Sequence, residues 1–398
     1  MKEKAIQHQS LKEYGFVMKS IYEVCETVTD YVAAGSFADL KKNVEYLSEP
    51  NYAQLIRTVD LKSRFLKGNF IYVSKKAFDY LWRVNLNCES IILPNIGNCG
   101  EVYYVVPEKL PYKNNVLATN AILVRSLKES NKYLFYIFQS KHFQDELKRI
   151  TSPVGQTKFN KTELKNICIP IPSRKVQEEI VKILDSFTNL IDALNEELSL
   201  RQKQFEYYRE KLLSNKYWIK LRISDVCEVI NGRAYSQKEL MQKGKYRVLR
   251  VGNFFSNDSW YYSDLELDDK YYCNNGDLLY AWSATFGPQM WNNGKAIFHY
   301  HIWKLDCNNL IRKKYFFYWL SSDYMKEQIK NNTHGATMTH LTKNVMENII
   351  IEVPSLSIQQ SIVSKLDAFE SLISSLKEEI ALRQKQYEYY REKLLTFD

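Results

Sequence analysis

The chain has 398 residues, of which 45 % are hydrophobic and 14 % aromatic, with 29 tyrosines. That is enough for two or more domains with real cores. No stretch approaches the roughly 18 consecutive apolar residues of a membrane span, and the N-terminal MKEKAIQHQSLKEYGF lacks the apolar centre of a signal peptide, so a cytoplasmic location without membrane contact is expected. The net charge of +9 is unevenly spread: residues 1–173 carry +7 and 215–355 carry +4, whereas 174–214 and 356–398 each carry −1.

In chain order, the first segment alternates short β-rich runs (IILPNI, VYYVV, AILVRS) with turn signals, then enters a helical stretch, KYLFYIFQSKHFQDELKRI. From Pro172 the pattern changes to an uninterrupted helical period ending near Leu213. Ile180, Ile183, Phe187, Leu190, Leu194 and Leu198 recur at spacings of three and four, and Phe205, Tyr208 and Leu212 continue the stripe. The second segment repeats the plan, with YRVLRVG, DLLYAW and HYHIWKL as strands and KKYFFYWLSSDYMKEQIKN as helix. From Pro354 a second long helix follows, with Ile362, Leu366, Phe369, Leu372, Leu376 and Ile380 on its apolar face, then Tyr387, Tyr390 and Leu394. Pro172–Ser173 and Pro354–Ser355 supply breaker and N-cap.

The two helices are copies. Over Pro172–Leu213 and Pro354–Leu395, 26 of 42 residues are identical without a gap, and RQKQFEYYREKLL returns as RQKQYEYYREKLL. The preceding segments echo one another more weakly but in the same order: IYEVCETV and ISDVCEVI, QLIRTVD and RVLRVGN, ESIILPNIGNCG and GDLLYAWSATFG, KYLFYIF and KYFFYWL. Such self-similarity marks a duplicated half-protein. The start motif is offset by 202 residues and the helices by 182, so the first segment holds about 20 extra residues, expected around KKNVEYLSEPNYAQ and RFLKGNFIYVSKKAFDYLW.

Catalytic signatures do not appear. There is no N/D-P-P-Y/F motif for base methylation, no Gly-rich loop for S-adenosylmethionine and no G-x-x-x-x-G-K-S/T phosphate loop. DLELDDKYY (264–272) places acids near a lysine but reads as a solvated turn. Cys25, Cys88, Cys99, Cys168, Cys227, Cys273 and Cys307 contain no C-x-x-C pair and read as reduced structural thiols rather than zinc ligands. His299 and His301, in FHYHIW, read as a partly buried pair on one face of a strand. The basic excess in the two segments suits a polyanion such as DNA, or a merely solvated surface.

The doubled plan resembles the specificity (S) subunit of type I restriction–modification systems. The resemblance covers the whole chain. It rests on Pro-Ser-x-x-x-Gln followed by I-V-x-x-L-D-x-F: Pro172, Ser173, Gln177, Ile180, Val181, Leu184, Asp185 and Phe187, then Pro354, Ser355, Gln359, Ile362, Val363, Leu366, Asp367 and Phe369. DVCEVINGRAYS, RVLRVGNF, GDLLYAWSATFG and HGATMTHLTK add to it; the first segment departs from it, reading VTD–YVAAGS in place of ING–RAYS.

The resemblance implies an α+β fold with two mixed α/β target-recognition domains (1–171 and 215–353), each followed by a conserved helix (172–214 and 354–398). The helices would pair as an antiparallel coiled coil about a pseudo-two-fold axis. It also implies a non-catalytic subunit in which each domain reads one half of a bipartite double-stranded DNA site. The helices would dock two modification subunits, which would carry S-adenosylmethionine; restriction subunits would join through that complex, and no cofactor would bind this chain. A stand-alone DNA-binding regulator or antirestriction decoy of the same fold, or a fused enzyme with an unseen active site, remain alternatives.

Under this reading the DNA contacts of the second domain are Arg233 and Tyr235 in a Gly-containing loop, Arg250 and Asn253 after a strand, and Trp282, Ser283 and Thr285 in a loop after DLLY. Gly335, Thr337, Thr339, His340 and Lys343 form a further polar stretch. The first domain offers Arg57, Asn95, Asn98, Gly155, Thr157, Lys158, Asn160 and Lys161. Arginine suits guanine and asparagine suits adenine in the major groove, while many such contacts go to phosphate. Arg57 and Arg250 have the alternative of anchoring a loop through a carboxylate. Arg209, Glu210, Arg391 and Glu392, on the repeated helix faces, are the expected partner contacts.

Overall fold

The computed structural model describes residues 14–66, 68–152, 155–255, 257–332 and 340–396. The chain forms two compact units, residues 1–193 with 380–398, and residues 194–379.

In the first unit β1 (Phe16–Ser20) pairs antiparallel with β9 (Cys168–Pro172), tying the domain's entry to its exit. A four-stranded antiparallel sheet has the order β2-β8-β5-β6, from β2 (Thr27–Asp30), β5 (Ser90–Pro94), β6 (Tyr103–Val105) and β8 (Ala121–Arg125). A smaller sheet has the order β4-β3-β7, from β3 (Ala53–Ile56), β4 (Ile71–Val73) and β7 (Asn115–Leu117), with β3 and β7 parallel. The runs IILP and AILV are apolar throughout because both faces are covered. Ile91, Leu93, Ile122 and Val124 pack on Tyr133, Leu134 and Ile137 of α1 (Asn131–Ile137) and on Phe143 and Leu147 of α2 (Lys141–Ile150). Ile92 and Leu123, one residue out of phase, pack on Leu55, Ile56 and Val116 of the smaller sheet. The helical stretch breaks at Ser140, whose side chain caps α2.

The second unit has the same wiring. β10 (Ile219–Arg222) pairs with β19 (Ile350–Val353). The larger sheet runs β11-β18-β15-β16, from β11 (Cys227–Asn231), β15 (Leu278–Ser283), β16 (Thr285–Met290) and β18 (Ile302–Cys307). The smaller runs β13-β12-β17-β14, from β12 (Tyr246–Leu249), β13 (Tyr261–Ser263), β14 (Tyr272–Cys273) and β17 (Ala296–Phe298). Leu278, Tyr280, Trp303 and Leu305 face the cluster of α4 (Lys313–Leu320) and α5 (Asp323–Asn332), while Leu279, Ala281 and Ile302 face the small sheet.

Each domain leads into a 40-residue helix, α3 (Arg174–Leu213) or α6 (Leu356–Leu395), on the order of 60 Å long. In the first unit Ile180 and Leu184 of α3 share a core with Leu394 and Leu395 of α6, and Phe187 stacks on Tyr390 at 5.3 Å. In the second, Leu213 of α3 joins Ile362, Val363 and Leu366 of α6, and Tyr208 stacks on Phe369 at 5.5 Å. In each unit the early part of one long helix lies beside the late part of the other, as antiparallel pairing requires.

Several expectations need correction. Leu190 and Leu372 are 42 % and 41 % exposed, so the packed stripe turns away from them; Ile191 and Ile373, one residue on, are the partly covered positions. The extra length of the first domain is only partly where it was expected. It comprises the turn Tyr31–Ala34 and helix Phe37–Asn43 between β2 and β3, and the loop 95–102 between β5 and β6, where the second domain has a tight hairpin at Ala284. Trp282, Ser283 and Thr285 are accordingly hairpin strand residues rather than loop residues. His299 and His301 flank a turn between β17 and β18, not one face of a strand. DLELDDKYY is a surface segment only in its first part, with Glu266 paired to Lys245 and Asp268 to Lys270; it then forms a helical turn over Asp269–Tyr271 and enters β14 at buried Tyr272. Among the described residues, no group of His, Cys, Asp and Glu could hold a metal, and no helix is long and apolar enough to cross a membrane.

Candidate nucleic-acid interface

In the second unit a cleft of about 280 Å³ opens between the residues after β12 and the β17–β18 turn. Arg250, Gly252, Asn253, Asn257, Ser259, Tyr261, His299 and His301 line it. Arg250 lies exposed at the end of β12, its guanidinium over the Tyr261 ring at 5.3 Å, and among the described residues no carboxylate pairs with it. Asn253 spends its amide internally: Nδ2 donates to the carbonyls of Asn257 (2.9 Å) and Ser259 (2.7 Å), closing the loop beside the cleft.

An aromatic platform adjoins the cleft. The Trp282 ring stacks on Trp303 at 5.4 Å and meets His301 at 5.2 Å and His340 at 5.6 Å, while its Nε1 donates to the Tyr300 carbonyl at 2.8 Å. Tyr235 stacks on His299. Burial, then the charges of His301 and Arg250, push the His299 imidazole down to about 4. It is therefore neutral near pH 7 and able both to donate and to accept. Arg233 donates to Glu239 at 2.6 Å, and this bond with those from Ser236 holds the Glu239 carboxyl down at about 2. Arg233 Nη1 is buried without a hydrogen-bond partner. The end of β11 approaches so closely that a Cβ on Gly232 would lie 2.3 Å from the His299 carbonyl oxygen. Ser283 is buried and bridges to His340; Thr285 is exposed at the hairpin; Lys343 pairs with Glu347 at 3.5 Å. Gly335, Thr337 and Thr339 lie outside the described residues.

The first unit gathers a different set. Loop 95–100 and segment 155–161 meet through the Ile96–Lys158 bridge, bringing Asn95, Asn98, Thr157 and Lys158 together. Thr157 Oγ1 donates to the Gly97 carbonyl at 2.6 Å and Asn95 Nδ2 to that of Phe159 at 3.3 Å, while Asn95 Oδ1 is buried without a partner. Asn98 and Lys158 are exposed, and Gly155 is open, with φ +72°. Asn160 caps the helix Lys161–Lys165, and Lys161 pairs with Asp30 at 2.9 Å. Arg57 does not join this group. Its guanidinium grips buried Asp60 at 2.7 and 3.0 Å and donates to the Asn69 carbonyl, so here the loop-anchoring alternative is the one realised.

The four helix residues are engaged within their own units: Arg209 is buried, and Glu210, Arg391 and Glu392 are half-buried. Arg209 is 8 % exposed and pairs with Glu210 and Asp323, and Glu210 accepts from the Asp323 amide at the start of α5. Arg391 pairs with Glu392, which accepts from the Lys141 amide at the start of α2. The expectation that these four lie on the open helix face is therefore corrected. On that face, Leu200 and Tyr207 are 61 % and 60 % exposed, and their copies Leu382 and Tyr389 show the same values.

The sequence reading missed His299, His301, Asn257, Ser259 and Tyr261. The signal for the first two was present: FHYHIW puts two imidazoles and an aromatic between apolar strands. The other three come to the cleft only through the β12–β13 pairing.

Two α+β domains, each with polar loops converging at one edge and each followed by a copy of one long helix, define a duplicated recognition protein. Residues 15–200 and 215–382 both match the family model for the type I restriction modification DNA specificity domain. Over 302 residues the chain is 32 % identical to a putative type I restriction enzyme specificity subunit of Haemophilus influenzae, covering 70 % of this chain and 76 % of the relative. It is 30 % identical over 265 residues to the EcoR124I/EcoR124II specificity subunit of Escherichia coli, covering 58 % and 63 %. The fold matches the S subunit of a type I system from M. genitalium with a TM-score of 0.56 at 14 % identity, over 96 % of this chain and 97 % of that one. A chain from a structure of type I complex assembly gives 0.64 at 14 % identity, over 95 % and 97 %. The chain belongs to the type I restriction–modification specificity family and is a specificity subunit that recognises DNA. Such subunits are generally non-catalytic.

Proposed function

We propose that residues 1–171 and 215–353 each read one half of a two-part duplex DNA site, and that the long helices hold two copies of one modification subunit. The observation that carries the DNA reading is the cleft with Arg250 at its rim: an arginine with no carboxylate partner among the described residues, beside the neutral His299 imidazole, which both donates and accepts. Arginine reads guanine N7 and O6 bidentately in the major groove, and the imidazole edges suit either base edges or phosphates. Trp282, Tyr235, His340 and Arg233 frame this reader; Asn95, Asn98, Gly155, Thr157, Lys158, Asn160 and Lys161 form the corresponding edge of the first domain. Thr285 and Lys343 serve the backbone, and Asn253 and Ser283 act by shaping the loops.

The open faces at Leu200–Tyr207 and Leu382–Tyr389 are the docking sites. Identical residues with identical exposure offer two copies of one partner the same handle. S-adenosylmethionine is assigned to that partner, and a restriction subunit joins through it. Methylome sequencing with and without this gene tests the reading. A two-part, asymmetric methylated motif that vanishes with the gene is expected; an unchanged methylome contradicts it.

A further inference from the structure

The recognition domains diverge, yet both keep one short segment almost unchanged, KYLFY in the first and KYFFY in the second. In both units it meets the same residues at the start of a long helix. Gln177 and Gln359 are completely buried. Each accepts, through Oε1, the amide of the N-cap residue of α1 or α4: Ser130 at 3.0 Å and Arg312 at 2.8 Å. Each donates, through Nε2, to the carbonyl of its own Pro172 or Pro354. Tyr133 and Tyr315 donate to the carbonyls of Pro170 and Glu352, on the strand entering the helix. Eight residues past each glutamine, Asp185 accepts from the Tyr136 hydroxyl and Asp367 from the Tyr318 hydroxyl. The ammonium groups of Lys132 and Lys314 lie 3.3 and 3.4 Å from these carboxylates. Each of these contacts has its counterpart in the other unit. Beyond them, the second unit adds a bond from Tyr318 and an ion pair from Lys314 to Glu370, where the first has Thr188. Each glutamine Nε2 also reaches a second acceptor that differs, the Glu129 carboxylate for Gln177 and the Leu310 carbonyl for Gln359.

We infer that this segment is a positioning device: it sets the attitude of each recognition domain on its own long helix, and so the spacing between half-sites that the subunit accepts. The apolar core alone leaves rotation between a domain and a helix weakly determined, because dispersion and burial are non-directional. Hydrogen bonds at two points eight residues apart, about 12 Å along a helix, remove that freedom. A buried amide bonded at both ends tolerates little sliding, since a shift leaves it unsatisfied. The inference rests on the two-reader function proposed above.

The test uses the full chain in complex with its modification subunit. Methylation rates are measured on duplexes that carry both half-sites with the spacer varied one base pair at a time. Tyr136→Phe and Tyr318→Phe remove only hydroxyls. Each is expected to leave half-site sequence preference and the rate at the correct spacer within about twofold. The ratio of correct to one-off spacers should fall about tenfold for Tyr136→Phe, the value of one lost charge-assisted hydrogen bond, and at least as far for Tyr318→Phe, whose hydroxyl also reaches Glu370. Gln359→Met is expected to relax spacing in the same direction. Asp367→Asn, which keeps an acceptor for Tyr318, is expected to preserve it. A Tyr136→Phe/Tyr318→Phe double variant that folds and keeps wild-type spacer selectivity overturns the inference, and so does one that loses methylation equally at every spacer. A wild-type complex that needs only one half-site overturns the two-reader function, and this inference with it.

Discussion

The two recognition domains share a strand order but treat their equivalent arginines in opposite ways. Arg57, after β3, is followed three residues later by Asp60 and is locked to it; Arg250, after β12, is followed at the same distance by Asn253 and has no carboxylate partner among the described residues. The β7–β8 turn reads Ala118–Thr119–Asn120, whereas the matching β17–β18 turn reads His299–Tyr300–His301. The small sheet of the second unit has a fourth strand, β14, where the first has only the single Asn85–Val116 bridge. By contrast, the bonds of Gln177 and Gln359, of Tyr133 and Tyr315, and of Tyr136 and Tyr318 with Asp185 and Asp367 attach the two domains to their long helices in the same way, with Glu370 an added acceptor in the second. A duplicated reader needs identical attachment and different edges, and the divergence falls on the edges.

The largest expected effect tests the sameness. Leu382→Glu with Tyr389→Ala should remove one of two bound modification subunits, costing about 2–4 kcal/mol at that site; Leu200→Glu with Tyr207→Ala should remove the other. Native mass spectrometry reads the stoichiometry, and loss of both partners from either pair would break the equivalence. The next tests the difference. Arg57→Ala should lower unfolding stability in urea by about 2–3 kcal/mol, because buried Asp60 loses its partner. Arg250→Ala should change stability by no more than about 0.5 kcal/mol, yet weaken binding to one half-site by about 1–3 kcal/mol. Equal stability losses would remove the distinction between anchor and reader. Gly232→Ala is expected to cost about 1–3 kcal/mol, since its Cβ meets a backbone oxygen that cannot step aside. Amide exchange should place that loosening in β11 and the His299 turn.

Much of this fold was legible from local pattern. The 182-residue repeat and the three-and-four spacing predicted both long helices, and the β-rich runs around Ile91 and Leu279 predicted strands, though not that both of their faces would be covered. Local signals also existed for finer details: the Arg-x-x-Asp spacing at Arg57 favours the loop-anchoring alternative there and not at Arg250, and Ser140 announces a helix break. What was illegible depends on long-range pairing. The bridge joining loop 95–100 to segment 155–161, the gathering of Ser259 and Tyr261 at the cleft, and the inward turn of Arg209 toward Asp323 each join residues tens of positions apart. Leu190 shows the limit of periodicity itself. It lies on a geometrically sound stripe, but which edge of a wide stripe is covered depends on the partner's side chains.

The smallest expected effect separates the two units by pH. His299 titrates at about 4 when folded, against an ordinary value of 6.5, chiefly because burial disfavours the charged ring. A histidine whose pKa is depressed on folding binds fewer protons in the native state than in the unfolded one. Its contribution is therefore complete above about pH 6.5, declines as pH falls from there toward 4, and levels off once both states are protonated. At pH 5 the shift corresponds to about 2 kcal/mol, which solvent screening of the only partly buried ring reduces to on the order of 1 kcal/mol. Carboxylates titrate in the same window, so the measurement is a difference: thermal unfolding of wild type and His299→Asn between pH 7.5 and 5. Wild type should lose stability more steeply than the variant over that range. The first unit has Ala118 at the equivalent position, so Ala118→Ser should leave the wild-type slope unchanged. If His299→Asn also leaves it unchanged, the imidazole is already solvated in the native state, and the cleft is more open than its lining implies.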